Sequence, residues 1–278
     1  MAISLPPGTL EGRTLAVSVS QSPDLIRLRL SDEQLRRTLR GVARGVLGAG
    51  GHIAYGGSLD PDGYTSVLTA EAARHSHGER PLLVCLAWPE HRRLPLSELR
   101  TRLELGRAGR VVCLDPAGQE TDPAAGRREH PEVVDPDLAR TSLTAMRRYV
   151  RKHSDGRFLI GGRRSGFQGE RPGLVEEALL SLDPRHPQPL YLAAGFGGVT
   201  ADIVRALRID DCAWLPTDPD TGSHDPRLVA GLEELRSRAK APELHNGLTQ
   251  EENRRLTASR SPDEVAELVA LGLGRSER

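Results

Sequence analysis

Residues Phe158 to Leu180 read FLIGGRRSGFQGERPGLVEEALL. A short apolar run stops at Gly161-Gly162, a glycine-rich polar segment follows, and Leu174, Val175, Ala178, Leu179 and Leu182 then recur at helical spacing. Pro172 stands where the first helical turn begins, a position that tolerates its missing N–H. The stretch is therefore strand, loop and helix, the unit from which parallel sheets are built.

The same unit repeats on either side. Thr14 to Ser20 is a strand that runs into Gln21-Ser22-Pro23. A helix begins after Ser31, which forms a capping-box pair with Gln34, and it carries Leu35, Leu39, Val42, Ala43, Val46 and Leu47 at helical spacing until Gly48, Gly50 and Gly51 stop it. His52 to Tyr55 is a strand entering Gly56-Gly57, Thr65 to His75 a helix, Leu82 to Trp88 a buried strand, and Val111 to Leu114 another. Leu96, Leu99 and Leu103 mark a helix between these last two. Asp115 to Pro136 is a long polar loop, followed by a helix from Leu138 to Val150. Beyond the opening stretch, Pro189 to Ala193 is a strand and Thr200 to Leu207 a helix. Strand and helix alternate throughout, which predicts an α/β, Rossmann-like, doubly wound, mainly parallel sheet with helices on both faces. Residues 1–213 form this expected domain. Residues 214–278 form a helical C-terminal extension, with helices near Pro226–Ala239, Thr249–Leu256 and Pro262–Leu271. The last, capped by Ser261 and striped with Val265, Leu268, Val269 and Leu271, is expected to pack on the sheet domain or on a second subunit.

Composition narrows the function. Of 278 residues 37% are hydrophobic but only 3% aromatic, so the core is built from aliphatic side chains. Acidic and basic residues balance at 38 each, which argues against a nucleic-acid or anionic-membrane partner. Cys85, Cys113 and Cys212 form no close pair, and two of them sit in apolar runs, so they read as buried core residues in a reducing compartment. No signal peptide and no membrane-length apolar run is read, and the expected location is cytoplasmic.

In an open parallel sheet, ligands bind beyond the carboxyl ends of the strands. Those ends carry Ser20-Gln21, Gly56-Gly57-Ser58, Gly161-Gly162-Arg163-Arg164 and Gly195-Phe196-Gly197-Gly198. Glycines let backbone N–H groups approach a phosphate, and the next helix N-terminus adds partial positive charge. Gly166, Gly169 and Gly173 extend the third loop, Arg163 and Arg164 offer guanidinium forks for phosphate, and Glu176 and Glu177 sit in the following helix. Neighbours on a helix point about 100° apart, so only one of these two carboxylates is expected to face the ligand. Phe196 either stacks on a base or plugs its loop. The first strand runs into SQSPD, not G-x-G-x-x-G, which argues against the usual dinucleotide dehydrogenase. No cofactor and no metal site is expected: His75 and His77 lack a third ligand at a telling distance, and Asp60, Asp62 and Gly63 match only part of a calcium loop. Ser165 lacks the glycine two residues ahead that a nucleophile elbow needs. His91, His130, His186 and His224 read as surface residues, Arg36-Arg37 and Arg147-Arg148 as solvated helix faces, and Trp88 and Trp214 as packing.

The Gly56-Gly57 loop, GGRRSGFQGERPGLVEE and LYLAAGFGGVTADI together resemble the SLOG superfamily over roughly residues 14–210. This Rossmann-like group includes Smf/DprA proteins, lonely-guy phosphoribohydrolases, and sensor domains of TRPM channels and bacterial immunity proteins. The lonely-guy PGG-x-GT-x-x-E motif, which binds phosphate and ribose, is matched by Gly161-Gly162, Pro172-Gly173 and Glu176 or Glu177. Here the Gly-Gly pair stands about ten residues ahead of Pro-Gly, so the enzymatic motif is not intact. The pattern is more similar to SLOG branches of bacterial conflict systems, which bind NAD- or ADP-ribose-derived signals. The resemblance implies a nucleotide-ligand sensor working through a homo-oligomer or a separate effector protein. The alternative is a nucleotide N-glycoside hydrolase using Glu176, Glu177 and Arg163.

Overall fold

In the computed structural model, Thr14–Ser20 (β1), His52–Gly56 (β2), Leu82–Leu86 (β3), Gly109–Cys113 (β4), Gly156–Gly161 (β5) and Leu190–Ala193 (β6) pair into one parallel sheet. Their order is β4-β3-β2-β1-β5-β6. The structure describes residues 5–76, 79–127, 129–215, 225–238 and 243–277. His77 and His224 lie outside them. The helices are Asp32–Gly48 (α1), Tyr64–His75 (α2), Trp88–Arg92 (α3), Leu96–Leu103 (α4), Pro136–Lys152 (α5), Gly173–Ser181 (α6), Gly198–Ala206 (α7), Pro226–Arg238 (α8), Gln250–Ala258 (α9) and Pro262–Arg275 (α10). This is the expected α/β Rossmann-like architecture.

Strand side chains alternate between two covered faces. Leu15, Val17, Ile53, Val84, Phe158 and Ile160 join one core with Leu35, Leu39 and Val42 of α1 and Val265 and Val269 of α10. On the other face Ala16, Ala54 and Cys85 meet Met146 and Val150 of α5, while Leu159, Leu190 and Leu192 meet α6 and α7. All three cysteines are buried, and burial pushes each thiol up to about 12. Ser31 and Gln34 make the expected capping box.

The chain winds from β1 outward to β4, then crosses back so that β5 lies on the free side of β1. Ser18 pairs with Leu159, and Ser20 with Gly161. The reversal leaves a crevice beyond the carboxyl ends of β1 and β5, because their following segments depart in opposite directions.

Three local expectations are corrected. The strand read as Leu82–Trp88 stops at Leu86, because Pro89 in the first turn of α3 favours helix and cannot extend a central strand. His91, read as a surface residue, is wholly buried in α3. Its Nε2 lies 3.0 Å from the Leu114 carbonyl oxygen, its ring meets the edge of Trp88, and burial lowers its pKa. In the last helix Leu273, not Leu271, completes the buried stripe, since α10 runs on to Arg275.

Two close approaches lock the C-terminal helices to the sheet. Gly41 brings α1 near α10: a Cβ there would stand 3.2 Å from the Pro262 carbonyl oxygen. Gly195, in the single turn of 3-10 helix after β6, packs on the end of α9, where an added Cβ would meet the Ser259 carbonyl oxygen at 2.1 Å. Gly195→Ala is therefore expected to cost about 1–3 kcal/mol through overpacking. Urea unfolding checks this, and an unchanged midpoint would refute it.

Candidate functional site

A cleft of about 370 Å³ opens at the β1–β5 switch point. Ser18, Val19 and Ser20 enter it from β1, and Gly162 from the end of β5. Gly56, Gly57 and Ser58 after β2, Glu90 of α3, and Leu143, Met146 and Arg147 of α5 line it as well. The loop after β5 supplies Arg163, Gly166, Phe167, Gln168 and Pro172, α6 supplies Gly173, Leu174 and Glu177, and α7 supplies Val199. Of the candidate residues read from the sequence, Ser20, Gly56, Gly57, Ser58, Gly162, Arg163, Gly166, Gly173 and Glu177 thus meet in one cavity.

The turn after β5 explains its two glycines. Gly161 and Gly162 have φ of 71° and 110°, which L side chains rarely adopt. Gly161 lies under the cleft, where a Cβ would stand 2.3 Å from the Ser20 carbonyl oxygen. Gln21 and Arg164 line an adjoining hollow of about 350 Å³, which also includes Arg163.

Several glycines expected at a phosphate serve other groups. Next to Gly173 an added Cβ would come 2.9 Å from Arg147 Nη2, and next to Gly169 it would come 3.0 Å from Arg147 Nη1. These two positions therefore seat a guanidinium. Arg147, read as part of a solvated face, is buried and its Nη1 pairs with the Glu176 carboxylate. Burial of α5 against α6 forces that pairing. Glu176 is thereby drawn off the cleft lining, while Glu177 lines it.

The GFGG segment shows the same substitution of an internal group for a ligand. Phe196 is wholly buried in the core, so its ring plugs the loop and is closed off from a base. Gly195 packs on α9. Gly197 and Gly198 wrap the Asp24 carboxylate: the Gly198 N–H donates to Asp24 Oδ2 at 2.7 Å, at the N-terminus of α7. Arg164 completes this knot. Its Nη2 lies 2.9 Å from Asp24 Oδ2, and its Nε 2.7 Å from Asp202 Oδ2. Burial opposes its charge, but Asp202 and Asp24 outweigh it and raise its pKa. Two carboxylates therefore hold the guanidinium expected on phosphate, whereas Arg163 is exposed at the cleft.

Beneath the cleft is a residue that the sequence reading missed. Arg157 on β5 is wholly buried. Its Nη1 donates to Ser18 Oγ at 2.9 Å and lies 3.1 Å from Glu177 Oε1, while Nε and Nη2 have no hydrogen-bond partner among the described residues. A guanidinium stays charged even there, so it holds the Glu177 carboxylate as an ion pair. The signal was legible: Arg157 is a lone cation in the otherwise apolar GRFLIG strand. Ser18, Glu90, Arg147 and Gln168 were also missed, because they lie before a strand end or on helices and loops set beside it only by packing.

Among the described residues no cluster of His, Cys, Asp and Glu side chains could hold a metal ion, and no helix is long and apolar enough to cross a membrane. Comparison with curated proteins and with solved structures yields no match. A protein-family model described as SLOG cluster2 matches residues 9–256. Since that match spans the whole sheet and most of the helices around it, the chain belongs to the SLOG superfamily, as a member of SLOG cluster2.

Proposed function

We propose that the β1–β5 cleft binds a nucleotide or an NAD- or ADP-ribose-derived ligand, and that the protein acts as a sensor or regulatory module. A homo-oligomer or a separate effector protein would carry the signal onward. The observation that carries this reading is the meeting of an exposed guanidinium, Arg163, a carboxylate, Glu177, and the Gly162 turn in one cavity at the switch point. Arg163 and the glycine turn suit a phosphate, and Glu177 suits ribose hydroxyls, since a carboxylate only accepts. Family membership supports a nucleotide-related ligand.

Thermal unfolding with ADP-ribose, NAD and nucleoside monophosphates tests it. A ligand at 100 times its Kd is expected to stabilise the fold by about 2.7 kcal/mol. Arg163→Ala is expected to weaken binding by roughly 10- to 100-fold, the worth of a charge-assisted hydrogen bond. If none of these compounds raises the melting temperature at millimolar concentration, the reading fails.

A second reading is favoured by the Arg157–Glu177 pair. An ionised carboxylate beside the anomeric carbon stabilises the oxocarbenium-like state of N-glycoside cleavage, while an arginine retains the phosphate. Release of free base, lost in Glu177→Gln, would establish hydrolysis. Recovery of the intact ligand would leave sensing alone.

A further inference from the structure

A second carboxyl group shares the cleft with Glu177, in unlike surroundings. β3 ends at Leu86, α3 begins at Trp88, and its third residue is Glu90. Glu177 meets the buried Arg157 at 3.1 Å. Glu90 instead meets the exposed Arg93, whose Nη1 donates to its Oε1 at 3.1 Å. The same Arg93 donates through Nη2 to Gln168 Oε1 at 2.9 Å, which ties α3 to the loop after β5. α3 packs on α5, whose Leu143 and Met146 line the cleft with Glu90. Burial raises the pKa of Glu90, and Arg93 offsets this only in part. Where two carboxyl groups share a cleft, the one that burial favours in its protonated form is suited to donate a proton.

We infer that Glu90 is a catalytic acid that protonates the departing nucleobase, an inference that rests on the hydrolytic reading of this cleft. The C1′–N bond breaks with its electron pair on the base nitrogen, and that nitrogen takes the Glu90 proton. The Glu177 carboxylate faces the cationic sugar. A water oxygen bonds to C1′ and gives up one proton to Glu177, which returns it to solvent, and Glu90 is reprotonated from solvent. The sum is ribosyl base plus water giving free base and ribose, with no other reactant.

The test compares two kinds of leaving group on the full chain, with free base measured by chromatography. Adenosine and guanosine 5′-monophosphates are neutral glycosides whose bases must be protonated to leave. Nicotinamide mononucleotide and 7-methylguanosine 5′-monophosphate are cationic glycosides whose bases leave neutral without a proton. Glu90→Gln, nearly the same shape, is expected to slow release from the neutral glycosides by roughly 10²–10⁴-fold and leave the cationic ones within about threefold. Equal loss on both kinds, or loss on neither, overturns the role of Glu90 and leaves the hydrolytic reading intact. So does a wild type that cleaves only the cationic kind. If the wild type cleaves only the neutral kind, the role requires a fall in kcat at unchanged KM with partial recovery in Glu90→Asp; a change in KM alone overturns it. A wild type that releases no base from any of the four overturns the hydrolytic reading itself.

Discussion

Asp24→Ala is expected to lower the unfolding free energy by about 3–5 kcal/mol, since it breaks a buried ion pair and removes one of the two carboxylates that face Arg164. Asp24 is wholly buried, accepts from the Gly198 N–H, and joins Arg164 and Arg27. Without the carboxylate, Arg164 loses one of its two carboxylate partners and keeps Asp202, and the N-terminus of α7 loses the anion that complements its dipole. Asp24→Asn keeps the shape and should cost less. Urea unfolding of both variants checks the order, and an Asp24→Ala protein within about 1 kcal/mol of the wild type would sink the claim.

Acid should weaken the same knot. Burial alone would raise the pKa of Asp24, but Arg164, the Gly198 N–H and Arg27 outweigh it and hold the carboxyl below its ordinary value. A group depressed on folding contributes its full stability above the unfolded value and loses it as pH falls through the folded one. The wild type should therefore lose stability more steeply than Asp24→Asn below about pH 4. Parallel acid limbs for the two proteins would contradict this.

The second large effect lies under the cleft. Arg157→Met strands the Glu177 carboxylate without its guanidinium and is expected to cost about 3–5 kcal/mol. Removing both partners, as in Arg157→Met with Glu177→Met, should recover most of that loss, because two well-packed apolar side chains need no counter-charge. A double-mutant cycle by urea unfolding measures the coupling. On the proposed reading the double variant should nevertheless lose nucleotide binding, since Glu177, the carboxylate assigned to the ribose hydroxyls, is gone. If the two single losses simply add, Arg157 and Glu177 do not act as a pair.

These two sites mark the limit of what local pattern reveals. All six strands, most helices and the glycine turns after β2, β5 and β6 were legible, because apolar periodicity and turn residues are properties of short segments. The roles of individual glycines were less so. Gly162 and Gly173 read alike in the chain, yet one turns the backbone at φ 110° and the other leaves room for Arg147. Which of Glu176 and Glu177 reaches the cleft was open on helical geometry alone. It was decided by Arg147 on α5 drawing the first aside and Arg157 on β5 pairing with the second.

Local pattern in the chain sets the parallel α/β architecture, the strand ends from which loops rise, and a pool of glycine, arginine and glutamate residues at those ends. Tertiary structure decided how that pool is spent. Asp24 and Gly198 are 174 residues apart, and Arg157 and Ser18 are 139 apart. A short-range pattern holds no record of such meetings, because a buried charge takes its partner from whatever segment the sheet order places beside it.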